Sequence, residues 1–190
     1  MYEDVELDVT WIPRDRYLTL IQYTQYNRRI YSPGTKLILD FKQYQTRALK
    51  KVRDLTLQVL RDYEGMEEFR YGYLVALPGH KAGSVNAPCE WLCAELARAF
   101  PRRLVHLKQA LRRVTDVEKS ATAPPGRRPT SADHIQSIRY VGQQTNPNVR
   151  IIMVDDVLTR GETARACRAI LRNATGCTDV RGLFVARTAN

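Results

Sequence analysis

The sequence predicts an α/β fold with a largely parallel sheet, and three observations carry that prediction. From residue 71 onward, β-branched runs alternate with helical patterns in the order strand, helix, strand, long loop, strand, helix, strand. Two of those strands, "YGYLVAL" and "VRIIMV", are nearly continuous in apolar residues, as strands covered on both faces must be. Each then runs into a glycine-containing loop and a helix, "PGHKAGSVN" after the first and "VLTRG" after the second.

The elements follow in order. Residues 1–40 read as strands and turns and are set apart as an amino-terminal extension; "RYLTLIQYTQYNRRIY" supplies strand-forming residues, "SPG" a turn, and "TKLILDF" a short strand. A domain then spans residues 41–190. Asp40 begins a helical pattern reaching Tyr63, whose outer face carries Lys42, Arg47, Lys50, Lys51 and Arg53 and reads as a solvated surface. Residues 71–77 form a strand, 78–86 a loop and 87–100 a helix with Trp91, Leu92, Leu96 and Phe100 inward; "RLVHL" is a second short strand. Over residues 112–133 the pattern dissolves into charges, prolines and small residues, which in a compact domain marks a linker or a functional lid. "HIQSIRYV" fits a helix or a strand equally. "VRIIMVDD" is a strand, 157–161 a loop, 163–174 a helix and "DVRGLFVART" the last strand.

A chain of 190 residues can bury a sizeable core, and its 44% hydrophobic content is that of a soluble globular protein. No apolar run approaches the roughly 20 residues that span a bilayer. "MYEDVELDVT" has no apolar signal region, so no membrane partner is expected and the expected location is cytoplasmic. Cys89, Cys93, Cys167 and Cys177 lack the paired spacing of a zinc knuckle and read as free, buried thiols. The net charge of +10 favours anionic partners. The excess concentrates between Arg98 and Arg128, where nine Lys/Arg face only Asp116 and Glu118. Nucleic acid and a phosphate-rich small molecule would both answer that field.

The chemistry concentrates in "RIIMVDDVLTRGETARAC". Ligands of α/β sheets sit at the carboxyl ends of strands, where Asp155 and Asp156 fall. A tight loop opening a helix presents backbone N–H groups and the helix dipole to a phosphate. Gly161 lets the backbone approach closely, while Thr159 and Thr163 add hydroxyl donors. Carboxylates beside such a loop suit sugar hydroxyls or a hydrated Mg²⁺. The combination is a cradle for a phosphorylated sugar.

"IIMVDDVLTRGETA" closely resembles the phosphoribosyl-pyrophosphate (PRPP) loop of type I phosphoribosyltransferases, and the resemblance runs in order across residues 70–188. It implies that Asp155 and Asp156 hold the ribose hydroxyls and meet Mg²⁺ indirectly, through PRPP and water. Val157, Leu158, Thr159, Arg160, Gly161, Glu162 and Thr163 would wrap the 5′-phosphate. "LVALPGHKAGS" resembles the family's pyrophosphate loop, with Gly79, His80, Lys81, Ala82, Gly83 and Ser84 around the leaving group. Residues 112–128 are similar to its mobile catalytic loop, with Lys119, Ser120 and Arg128 resembling the ComF-like subgroup. Arg160 departs from the pattern where a second threonine is common and could add charge to the phosphate site. Glu162 departs where a small residue is common and is expected to face solvent. That subgroup often carries an amino-terminal zinc ribbon; residues 1–70 contain no cysteine, so no zinc is expected.

The resemblance implies displacement of pyrophosphate from ribose C1 by a nitrogen nucleophile, a nucleobase or related acceptor. Lys81 with Lys119 or Arg128 would stabilise the pyrophosphate. Residues 1–40 are the candidate hood over the acceptor, and a homodimer is expected by family habit. The alternative is a PRPP- or nucleotide-binding regulator without turnover, or a ComF-like accessory of DNA processing that also meets nucleic acid. A P-loop or Rossmann site is excluded, since neither G-x-x-x-x-G-K-[ST] nor G-x-G-x-x-G follows a strand. No helix-turn-helix pattern surrounds the basic segment. His106 and His134 read as structural, His80 as a turn residue beside the pyrophosphate loop, and Trp91 as core.

Overall fold

The computed structural model describes residues 2–24, 32–118 and 128–188. Lys119 and Ser120 lie outside the described residues. The amino-terminal segment forms β1 (Thr10–Ile12) and β2 (Tyr17–Tyr23). Helix α1 (Pro33–Lys42) follows, where a turn and a strand were expected. The reason is local: the Ser32 hydroxyl accepts from Thr35 N–H at 3.1 Å, and Pro33 stands in the first turn, so "SPG" starts a helix. Leu37, Ile38 and Phe41 then fall on one buried face.

The helix expected from Asp40 to Tyr63 is accordingly two. α1 stops at Gln43, Tyr44 takes a positive φ of 61°, and α2 (Thr46–Asp62) restarts beyond it. Asp40 is clasped rather than exposed: it accepts from Tyr2 Oη at 2.6 Å and from Lys36 Nζ at 2.7 Å.

A short 3₁₀ turn leads into β3 (Gly72–Ala76), followed by α3 (Ala87–Ala99), β4 (Leu104–His106) and β5 (Leu111–Arg113). "HIQSIRYV" divides between both of its readings. α4 (Ser131–Ser137) is opened by a capping box between Thr130 and Asp133, and β6 (Ile138–Tyr140) continues directly from it. β7 (Ile151–Leu158), α5 (Glu162–Thr175) and β8 (Val180–Thr188) complete the chain.

Among the described residues the strands form a six-stranded sheet in the order β1-β2-β8-β7-β3-β4 and a two-stranded pair, β5-β6. All pairings in the large sheet are parallel except β1 with β2. Residues 1–40, set apart as an extension, thus supply two strands of the central sheet. Crossovers β3–α3–β4 and β7–α5–β8 step in opposite directions from the sheet centre, which places α3 and α5 on opposite faces. Leu92, Cys93 and Leu96 of α3 join α2 and Ile152 and Val154 in one core. Ala164, Cys167 and Leu171 of α5 join Ile151 and Met153 in the other. All four cysteines are buried and free. No helix among the described residues is long and apolar enough to cross a membrane.

Candidate functional site

Strand order reverses direction between β3 and β7, and the crevice outside the carboxyl ends of such strands is where an α/β sheet receives ligands. The loop after β3 and the end of β7 both open there, and Asp155 borders two adjoining clefts.

Asp155 and Asp156 lie in the strand, as the sequence predicts, and β7 runs two residues beyond them. β8 is nine residues long and holds β7 through Asp155↔Phe184 and Val157↔Ala186 to Leu158↔Arg187. The expected loop 157–161 therefore shortens to residues 159–161, with Val157 and Leu158 in the strand and Leu158 in the core. Gly161 caps α5 with φ 75° and ψ 9°, a left-handed conformation that glycine adopts without cost. The exposed Thr159 and Arg160, with Gly161 and Thr163, line one cleft together with Arg128. Glu162 does not turn to solvent: its carboxylate accepts from Ser131 N–H at 3.0 Å and pairs with Arg165 at 2.7 Å, tying α5 to α4.

The two carboxylates are held by different elements. Asp155 Oδ1 accepts from Asn86 Nδ2 at 3.1 Å and from Asp156 N–H at 2.9 Å. Burial, and then the neighbouring Asp156, pushes the Asp155 carboxyl well above the usual range. Asp156 meets Lys42 Nζ at 3.2 Å. Lys42, assigned from sequence to a solvated helix face, is instead the cation of the acidic pair. Burial works to lower its pKa, but Asp156 and Asp155 outweigh it and raise it. Its ammonium also lies 6.0 Å from the centre of the Tyr23 ring.

The loop of residues 78–86 is fastened to the end of β5 and the segment that follows it. Gly83 N–H donates to Arg113 O at 2.9 Å, Ala82 N–H to Asp116 Oδ1 at 2.6 Å, and Val117 N–H to His80 O at 3.0 Å. Ser84 N–H closes a turn onto Lys81 O at 3.2 Å. The backbone N–H groups of Ala82, Gly83 and Ser84 are thus engaged within the fold, that of Ala82 by a carboxylate. Gly79 and His80 line the second cleft, and Lys81 is exposed on the turn.

Beneath this loop lies Arg113, 2% exposed. Its Nε donates to Gly79 O, one terminal nitrogen reaches Ser137 Oγ at 2.5 Å, and the other stands 3.4 Å from His134 Nδ1. His134 Nε2 is 3.1 Å from Thr163 Oγ1. Burial first, and the Arg113 charge second, lower the His134 pKa to about 4.

Sequence reading missed Lys42, Asn86, Arg113 and His134 as members of the site. Lys42 looked like one more lysine on a basic helix, and His134 sat in a stretch whose secondary structure was undecided. Asn86 alone left a usable trace, as the last residue before a helix that begins Ala-Pro.

Fold and site together define an α/β protein with paired carboxylates beside a glycine-opened helix N-terminus at the sheet's switch point. No protein-family model matches the chain, and no curated protein does. Among solved structures, it is similar to adenine phosphoribosyltransferase from Trypanosoma brucei in complex with AMP, pyrophosphate and ribose-5-phosphate, at 12% identity and TM-score 0.47, over 96% of this chain and 87% of that one. The enzyme from Leishmania tarentolae is similar at 15% identity and TM-score 0.44, over 95% and 94% of the two chains. That from Leishmania donovani gives 11% and 0.41, over 94% and 86%.

Proposed function

We propose that the chain binds PRPP at this crevice and, with Mg²⁺, transfers its phosphoribosyl group to a nitrogen nucleophile with release of pyrophosphate. The observation that carries the reading is the Asp155–Asp156 pair leading within five residues into the Gly161-opened N-terminus of α5. A 5′-phosphate at residues 159–163 would meet backbone N–H groups, two threonine hydroxyls and the positive end of the helix dipole. The ribose hydroxyls would donate to the carboxylates of Asp155 and Asp156.

In the transfer, the nucleophile's nitrogen lone pair forms the bond to C1 while the C1–O bond to pyrophosphate breaks, its electron pair leaving with the pyrophosphate. Positive charge grows on the ribose, where the acidic pair favours it; negative charge grows on the leaving group, beside residues 79–84, Lys81 and Arg128. Asp155 and Asp156 offer the hard oxygen donors that suit Mg²⁺, and Asp156 already holds a cation in Lys42. Bound magnesium would supply neutralisation of the pyrophosphate charge. Asn86 fixes the orientation of Asp155, and Lys42 that of Asp156.

Calorimetric titration with PRPP, with and without Mg²⁺, tests the reading. The intact chain is expected to bind in a Mg²⁺-dependent way, and a folded Asp155→Asn/Asp156→Asn variant to lose at least about tenfold in affinity. Equal binding by both proteins would remove the acidic pair from the site. Pyrophosphate release across a nucleobase panel then separates an enzyme from a PRPP-binding regulator.

A further inference from the structure

Arg113 is a buried guanidinium whose described partners are neutral acceptors. The structure gives it Gly79 O, Ser137 Oγ and His134 Nδ1, with no carboxylate at hydrogen-bonding distance among the described residues. Charge buried in this way is costly unless its donors are satisfied, so the orientation of each acceptor is strongly constrained. Guanidinium nitrogens only donate. The ring nitrogen facing Arg113 must therefore present its lone pair, and the proton of neutral His134 belongs on Nε2. Nε2 faces Thr163 Oγ1 at 3.1 Å, so the histidine donates and the threonine oxygen accepts. That leaves the Thr163 hydroxyl's own proton for a second partner, at the first turn of α5.

We propose that Arg113 holds His134 as the Nε2–H tautomer, so that His134 orients Thr163 as a hydrogen-bond donor to the phosphate received by residues 159–163. His134 is then a positioning residue, acting through Thr163, and Arg113 positions His134. The inference rests on the reading of that loop as the sugar-phosphate site. It adds a physical link between the two anion-facing loops: Arg113 grips the carbonyl of Gly79 with the same guanidinium that sets the histidine. The depressed pKa of His134 agrees: burial disfavours the charged ring first, and a second proton would also face the guanidinium.

Two measurements on the full chain test it, with ribose 5-phosphate as probe. Side-chain ¹⁵N spectra of the histidines at neutral pH are expected to show His134 protonated at Nε2 and bare at Nδ1; the opposite tautomer, or a doubly protonated ring, overturns the relay. Calorimetry on the unaltered chain, His134→Leu, Thr163→Val and the double variant supplies the second. Each single change is expected to weaken binding about tenfold, and the double variant to bind no worse than Thr163→Val alone. Losses that multiply would mean that His134 acts independently of Thr163 and overturn the proposal. Should His134→Leu fail to fold, His134→Gln and His134→Asn replace it. Gln carries its amide near the Nε2 position and is expected to keep most of the affinity, while Asn loses it; the reverse order overturns the relay. An unaltered chain that fails to bind ribose 5-phosphate overturns the sugar-phosphate reading itself, whereas the tautomer spectrum reports on the Arg113–His134 contact in either case.

Discussion

At the scale of single residues, His134 ties the site to the stability of the fold. Its folded pKa of about 4 lies below the roughly 6.5 of an unperturbed histidine, so between those values the unfolded chain binds the extra proton. Stability from this group is fully present above about pH 6.5 and is lost as pH falls toward 4. Urea unfolding midpoints measured from pH 7 to 5 are expected to decline more steeply for the natural chain than for His134→Gln, which cannot titrate. Parallel curves would show that the ring is solvated and charged in the fold. Chemically, His134 was plain in the sequence as a histidine; its burial against an arginine was not, because Arg113 lies 21 positions away across the segment of least regular composition.

At the scale of elements, local signals explain most of what was legible. The buried strands β3 and β7, the helices α3 and α5 and the glycine opening α5 all follow from short-range pattern. α1 was misread because three apolar residues, Leu37, Ile38 and Leu39, look alike in a strand and in a short helix; the Ser32–Pro33 start decides between them. β7 exceeded its expected end for the opposite reason, since its last residues are held by β8 and not by their own propensity. The first residue of β3 offers a test of how tightly these strands pack. Gly72 has φ 138°, and an added Cβ would lie 2.6 Å from the carbonyl oxygen of Arg150. Gly72→Ala is therefore expected to cost about 2–4 kcal/mol in denaturant unfolding, through backbone strain and displacement of β7. A cost below about 0.5 kcal/mol would mean that this junction yields freely.

At the scale of the whole molecule, the amino-terminal strands are part of the core. β2 pairs with β8 from Tyr17↔Gly182 to Tyr23↔Thr188, and Leu18, Leu20 and Ile21 are at most 1% exposed. Each such side chain contributes about 1.5–3 kcal/mol by burial, and an unpaired β8 would become an open sheet edge. A chain lacking residues 1–24 is expected to lose cooperative thermal unfolding and to aggregate; a soluble truncation with an unchanged melting profile would show the segment to be an appendage. The same docking brings α1, and with it Lys42, to the acidic pair.

The sequence by itself determined the α/β class, the two buried strands, and the acidic pair followed by a turn whose glycine opens a helix. Each depends on residues close together in the chain, where periodicity and backbone preference act directly. Tertiary structure alone decided the cation facing Asp156, the side chain orienting Asp155, and the guanidinium–imidazole–hydroxyl row beneath the loops. Those contacts join residues 21 to 114 positions apart, and their energies come from burial and charge pairing that exist only once the two faces of the sheet are covered.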